Sequence, residues 1–187
     1  MLSRAEFTAA LAGVRGLVRL DPRALDKFNA THDGFWRSFW AAAILAPFAA
    51  ITMAREVMIE PPDSLWRFIA FEVIGYAIGW LAFPLVMVRV SELLGRRDRY
   101  FHYMVALNWF HLVEIAFAGP ILILGVIGAI PPAGEESLSL IVFMAILAYE
   151  WFIAKTALKV GGGTAAALVI IDLLLSVLID RVAASMP

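Results

Sequence analysis

Five long apolar stretches constrain what this chain can fold into. They cover about residues 35–53, 66–88, 100–130, 138–157 and 164–179, and each contains few charged residues. A helix of about 20 apolar residues crosses the hydrocarbon core of a bilayer, where backbone polar groups must be hydrogen-bonded within the segment. The sequence therefore predicts an all-α, polytopic membrane protein with five transmembrane helices.

Composition indicates the same class of protein. The 187 residues are 62% hydrophobic and 17% charged, and the mean hydropathy of +0.83 is far above that of a soluble domain. A net charge of -1 without a basic tract gives no sign of nucleic-acid binding. The absence of cysteine excludes disulfides, thiolate catalysis and cysteine-ligated metal sites.

Residues 1–33 form a separate, more polar N-terminal region. Ser3 and Glu6 have the spacing of a capping box, and apolar residues then recur at helical spacing as far as Val18. Arginines lie along one flank of this helix at Arg4, Arg15 and Arg19. The pattern is typical of an amphipathic interfacial helix whose arginines contact anionic lipid headgroups. Packing of the same apolar face on the protein itself is the alternative.

The distribution of positive charge predicts the orientation of the chain. Twelve of the fifteen Lys and Arg residues lie before or at the start of the first span, between spans two and three, or between spans four and five. Cytoplasmic loops carry this excess in membrane proteins. We expect a cytoplasmic N-terminal region, residues 34–187 as the five-helix transmembrane domain, and a C-terminus outside. Short loops, abundant alanine and a basic interfacial helix are typical of a bacterial inner (cytoplasmic) membrane protein, so we expect that location.

Ionisable residues lie within the apolar spans. Span three carries a polar stripe at spacings of three residues, and spans two, four and five each add one carboxylate. The full set is Asn108, His111, Glu114, Asp172, Glu150 and Glu72. A charged group in hydrocarbon costs about 2.5–3.5 kcal/mol on insertion scales, so each carboxylate needs a partner or a proton.

We expect span three to be the innermost helix of the bundle, with Glu114 facing Asp172 or a wet pocket. Asn108 and His111 are the expected hydrogen-bonding neighbours, and Glu150 is expected to reach Lys155 or one of those two side chains. A proton or cation pathway through these groups is one interpretation. A polar clamp that fixes the register of the helices is the other.

No catalytic residue, metal site or cofactor is predicted. Di-iron bundles present Glu-x-x-His on each of two helices, whereas His111 and Glu114 occur once and in reverse order. We therefore expect a non-enzymatic protein. Gly75 and Gly79 have the spacing that lets two helices approach closely in lipid, either within the chain or between subunits of a homo-oligomer.

Three short motifs resemble the Yip1-like superfamily of five-span membrane proteins. Asp33-Gly34-Phe35-Trp36 is similar to the motif before its first span, and Ile74-Gly75-Tyr76-Ala77 with Pro84 is similar to the pattern of its second span. Trp151, Ala157-Leu158 and the glycine-rich turn resemble its junction between spans four and five.

The resemblance implies an assembly, scaffolding or membrane-organising role rather than catalysis. Eukaryotic members work with small GTPases in vesicle traffic, but a fold alone does not transfer that role. The expected partners are the bilayer, anionic lipid headgroups and a larger membrane-protein complex or a second copy of the chain. The alternative function is a small proton or cation translocator, or a subunit of one.

Overall fold

The computed structural model describes the backbone of residues 2–185 and the side chains of residues 2–183. The described chain is helical throughout and contains no strand. Seven α-helices follow one another as α1 Arg4–Val18, α2 His32–Ser38, α3 Trp40–Ile59, α4 Leu65–Leu93, α5 Tyr100–Val126, α6 Pro132–Ala157 and α7 Gly162–Ser185. Two 3-10 helices, Pro22–Lys27 and Arg97–Arg99, connect α1 to α2 and α4 to α5.

Five helices are long and apolar enough to cross a membrane, as the sequence predicts. They are His32–Ile59, which combines α2 and α3, Leu65–Leu93, Arg97–Val126, which combines the second 3-10 helix with α5, Pro132–Ala157 and Gly162–Ala183. Most of these helices extend beyond the predicted spans, because hydropathy marks only the apolar part of a helix and polar turns continue it. The third span is shorter than predicted. It ends at Val126 rather than near residue 130, because Gly128 adopts a φ of +69°, a left-handed conformation that ends a helix.

Helix α1 begins where the capping signal places it. The Ser3 hydroxyl accepts a hydrogen bond from the Glu6 backbone N–H at 3.1 Å. The Glu6 carboxylate does not return to Ser3; it accepts hydrogen bonds from Asn29 Nδ2 at 2.9 Å and Arg37 Nε at 3.1 Å. Only half of the predicted capping box is therefore formed, and the other half is replaced by a clamp between α1 and α2.

The apolar face of α1 packs on the protein. Its buried residues are Ala10, Gly13, Val14 and Leu17, and the helix contacts the first 3-10 helix, α5 and α6. The exposed side chains include Arg4, Arg15 and Arg19. Of the two alternatives for this face, packing on the protein is the one found in the described structure, and contact of the arginines with anionic lipid stays a prediction.

Helix α5 is the central helix, as expected for span three. Every residue from Tyr103 to Phe110 is buried, and α5 contacts α1, α2, α3, α4 and α6. A helix that is apolar on every side is stable only when neighbours cover it all round. Two aromatic contacts illustrate this packing: the Trp109 ring lies 5.9 Å from that of Phe7, and the Phe110 ring lies 5.6 Å from that of Tyr149.

An ion pair fixes the end of the bundle that holds the loops after α3 and α5. The Arg55 guanidinium on α3 donates two hydrogen bonds to the Glu135 carboxylate on α6, one of them from Nη2 to Oε2 at 2.8 Å. The carboxylate lies where a Cβ on Gly125 of α5 would be. The pair therefore ties α3 to α6 across the end of α5, and glycine at position 125 leaves it the space.

Candidate functional site

A cavity of about 720 Å³ lies between α3, α4, α5 and α7, with one residue contributed by α6. Helix α4 packs mainly on α7 and makes few contacts with α3 and α5, so the space between these helices is left open. All six predicted polar residues line this one cavity: Asn108, His111, Glu114, Asp172, Glu150 and Glu72. The structure thus brings together side chains that lie up to 100 positions apart in the chain.

Two further carboxylates, Glu56 and Asp180, also line the cavity. The sequence places them in the acidic ends of spans one and five, but a charge near a helix end is usually solvated and gives no signal that it faces inward. Within residues 2–185, six carboxylates and one histidine line the cavity, and no lysine or arginine does. The lining is therefore strongly acidic.

The cavity is open at one end. Glu150 is only 9% exposed and Asn108 only 3%, whereas Glu56 and Asp180 are exposed. Exposure thus rises toward the end where α3 and α7 finish and α4 begins. Beyond Glu150 the bundle is closed by fully buried side chains, among them Tyr103 and Ile153.

The ionisable residues form two groups at different depths. We call His111, Glu114, Glu150 and Asp172 the inner group; their charges interact with one another, and His111 Nδ1 lies 2.8 Å from Glu114 Oε1. We call Glu56, Glu72 and Asp180 the outer group, because the charge of Glu72 interacts with those of the other two. The outer group surrounds the mouth of the cavity.

The expected pairings are formed in part. Glu114 bonds to its expected neighbour His111, because residues three apart stack on one helix face, and both Glu114 and Asp172 line the cavity. Asn108 donates from Nδ2 to Ser38 Oγ at 2.8 Å, so its partner is on α2. Lys155 does not reach Glu150; five residues along a helix turn it about 140° away, and its Nζ lies 4.8 Å from the ring centre of Trp151.

Three carboxylates of the cavity lack a protein partner. Neither Glu72, Glu150 nor Asp172 makes a hydrogen bond or ion pair with any residue of the described chain. The buried interhelical hydrogen bond of this region is the one between Asn108 and Ser38. The hydrogen bonds between helices here are therefore made by amide, hydroxyl and backbone carbonyl groups, and these three carboxylates are left facing the cavity.

Aromatic side chains form much of the remaining wall. The Trp80 ring packs edge-on against the His111 ring with 5.0 Å between centroids. Tyr76 also lines the cavity, and its hydroxyl donates to the Ala42 carbonyl at 2.7 Å. Phe48 and Phe83 complete this apolar part of the lining.

The glycine pair of α4 also faces the cavity. A Cβ on Gly79 would meet nothing within 4 Å, and one on Gly75 would meet only the Ala183 Cβ, at the ordinary distance of 3.6 Å. Gly75 thus lies beside Ala183 of α7, whereas nothing packs on Gly79, and a close helix approach at this pair stays a prediction. Contact between subunits at these positions stays a prediction, and within the chain the two glycines widen the cavity.

The carboxylates are too dispersed to form a metal centre. Among residues 2–185 no group of three or more His, Asp or Glu side chains has an arrangement that could hold a metal ion. Structural and catalytic metal sites in proteins use three or more protein ligands around one point. The arrangement can instead supply negative charge along the length of the cavity.

Comparison of the chain with models of known protein families, with curated proteins and with solved structures finds no match. The resemblance to Yip1-like proteins stays a prediction.

Proposed function

We propose that this chain is an integral membrane protein that binds cations in the acidic cavity and moves them, alone or as a subunit of a larger complex. The observation that carries the proposal is the cavity itself, in which six carboxylates contributed by all five of its lining helices face one space that no lysine or arginine of the described chain enters. Intramembrane carboxylates without protein partners are costly and are typical of ion and proton paths.

Placing these carboxylates inside the bundle is unfavourable, and no hydrogen bond to another helix offsets that cost. Interhelical hydrogen bonds stabilise membrane bundles by about 0.6–2 kcal/mol each, but Glu72, Glu150 and Asp172 make none with the described residues. Apolar side chains at these three positions would pack the helices at lower cost. A role in binding protons or other cations accounts for their presence.

The cavity suits entry from one side. The outer group surrounds its mouth, and Glu150 lies about 11 Å from the far end of α6, at a rise of 1.5 Å for each of seven residues. Movement across the membrane then requires the layer around Tyr103 and Ile153 to open in a second conformation, as alternating access demands.

The orientation follows from the same charge distribution that the sequence provides. We propose the bacterial inner membrane, with the N-terminus in the cytoplasm and the C-terminus outside, because twelve of fifteen Lys and Arg residues lie at the end of the bundle that holds the N-terminal region. The mouth of the cavity then faces the outside. A reporter fused to the C-terminus that is active only in the cytoplasm would contradict this orientation.

A membrane-organising role of the Yip1-like kind is the second candidate. The observation that favours it is the folded N-terminal region, which keeps Arg4, Arg15 and Arg19 exposed on a helix whose other face is packed on the bundle. Such a rigid basic face suits anionic lipid headgroups or an acidic partner in a larger complex. This candidate needs no cation in the cavity.

Purified protein in proteoliposomes tests the first candidate. An inside-negative potential is imposed, and uptake of protons, Na⁺ and a radiolabelled alkylamine is measured separately. We expect uptake of at least one of them, and its loss in Glu114→Gln and in Asp172→Asn. Glu136→Gln is the matched control, because Glu136 is exposed and does not line the cavity.

Uptake that is unchanged in both cavity variants contradicts the proposal. If no cation is taken up, the second candidate is tested with vesicles containing anionic lipid. Binding that is lost when Arg4, Arg15 and Arg19 are all replaced by alanine would then support the membrane-organising role.

A further inference from the structure

The carboxylates of the cavity stand at two levels along the membrane normal. Asp172 and Asp180 both face the cavity from α7 and are eight residues apart, which is about 12 Å along the helix axis. Asp172 belongs to the inner group and interacts with the charges of His111 and Glu114. Asp180 belongs to the outer group and interacts with Glu72. The cavity therefore offers two separate acidic ends.

A buried carboxylate without a partner marks the inner end. Glu150 is 9% exposed, lines the cavity and makes no hydrogen bond or ion pair with any residue between 2 and 185. A carboxylate buried in this way normally has a donor. A ligand that brings positive charge and N–H groups to the inner end would provide it.

The wall between the two levels is apolar and aromatic. Going inward along α4 from Glu72, the residues that line the cavity are Gly75, Tyr76, Gly79 and Trp80. The two glycines leave room, and the rings of Tyr76 and Trp80 offer faces to an alkyl chain or to an ammonium group. This wall suits the middle of a ligand rather than a charged end.

The cavity is much larger than a bare ion. Its volume of about 720 Å³ is within the range of about 300–1,000 Å³ found for small-molecule sites. A dehydrated metal ion needs several ligands around one point, and the described side chains do not form such a group. An elongated organic cation has the length to reach both acidic levels at once.

We propose that the cavity binds a linear diamine or polyamine, with one ammonium group at the inner group, a second at the outer group, and the alkyl chain along the wall formed by Tyr76, Gly79 and Trp80. This inference rests on the proposed function and adds the class of cation. An extended eight-carbon diamine matches the separation of the two levels. A triamine of similar length, such as spermidine, fits the same arrangement.

Calorimetric titration of the full chain in nanodiscs measures this length dependence. The probes are octane-1,8-diamine, spermidine, ethane-1,2-diamine, octylamine and Mg²⁺. We expect the eight-carbon diamine and spermidine to bind about tenfold more tightly than octylamine, because a second ammonium gains a charge-assisted hydrogen bond. Ethane-1,2-diamine spans only one level and gains no such advantage.

Variants separate the two ends. Glu56→Gln, Glu72→Gln and Asp180→Asn together remove the outer end, and we expect this triple variant to lower the affinity for the eight-carbon diamine to that for octylamine while octylamine binding is unchanged. Glu150→Gln weakens the binding of both ligands, because both place an ammonium at the inner end. Glu136→Gln, outside the cavity, changes neither affinity.

The outcomes distinguish this inference from the proposed function. Equal affinities for octylamine and the eight-carbon diamine, or a higher affinity for Mg²⁺, overturn the two-ended ligand and leave cation binding in place. Proton or Na⁺ uptake in proteoliposomes without binding of any amine also overturns the two-ended ligand and leaves the proposed function in place. Absence of both amine binding and cation uptake contradicts the inference and the proposed function together.

Discussion

The carboxylate of Glu6 is predicted to hold the N-terminal region on the bundle. It accepts a hydrogen bond from Asn29 Nδ2 at 2.9 Å and from Arg37 Nε, which also lies 2.9 Å from its second oxygen. The Glu6 side chain is 16% exposed and that of Arg37 is 33% exposed. Replacement of Glu6 by alanine removes both interactions and leaves both donors without this acceptor.

We expect Glu6→Ala to lower the free energy that holds α1 on the bundle by about 2 kcal/mol. A hydrogen bond to a charged group contributes about 1.5–3 kcal/mol when buried, and two of them would give more. The partial exposure of Arg37 reduces its share, because water replaces the lost acceptor and screens the charge. The hydrogen bond with Asn29 therefore contributes the larger part of the free energy that Glu6→Ala removes.

Hydrogen exchange of the α1 backbone amides measures this loss directly. Residues Arg4–Val18 open locally when α1 leaves the bundle, so a loss of about 2 kcal/mol predicts exchange about thirtyfold faster in Glu6→Ala. Arg4→Ala is the matched control, since Arg4 lies on the same helix, is exposed and makes no ion pair with the described residues. Exchange in the amides of α6 should be unchanged.

A double-mutant cycle with Arg37→Ala tests the cause. We expect the two substitutions together to cost less than their sum, because both remove the same ion pair. If α1 exchanges at the wild-type rate in Glu6→Ala, the clamp does not hold the N-terminal region, and burial of the apolar face alone must account for its attachment.

Three other substitutions test the cavity and the packing of α2. Gly79→Leu places a side chain where a Cβ meets nothing within 4 Å, so amine binding measured by calorimetry should be lost while the thermal midpoint is unchanged or raised. Gly34→Ala drives a Cβ into the backbone oxygen of Asn29; we expect a loss of about 1–3 kcal/mol, seen as a lower midpoint of thermal aggregation, and an unchanged midpoint would contradict this. Ser38→Ala removes the acceptor of the buried Asn108 amide, at a cost of about 1–3 kcal/mol in unfolding experiments in mixed micelles, and a neutral result would mean that another acceptor replaces the hydroxyl.

The number and type of helices could be predicted from the sequence because a long apolar run has few stable alternatives. The five spans were found for this reason, and the polar residues within them were visible as exceptions to the apolar pattern. That His111 and Glu114 share a face also followed from helical spacing, and the structure brings both to the cavity.

The partners of these residues could not be predicted, because helical periodicity says which face a residue occupies but not which helix lies opposite. Ser38 lies 70 positions before Asn108, and nothing in the sequence around it marks it as the acceptor. Glu56 and Asp180 were missed as lining residues for the same reason. The cavity is open because α4 packs mainly on α7 and makes few contacts with α3, and helical periodicity in the sequence does not indicate which of these neighbours α4 packs against.

The N-terminal region is the clearest case in which one pattern allows two structures. An apolar helix face is covered equally well by lipid or by protein, and hydropathy does not distinguish them. Here Glu6 decides the outcome by bonding to Arg37, and the next residue, Ser38, accepts the hydrogen bond of Asn108 in the cavity wall. Two adjacent residues of α2 thus connect the N-terminal region to the central helix. The segment that the sequence assigns to the membrane surface is therefore part of the framework that holds the cavity in place.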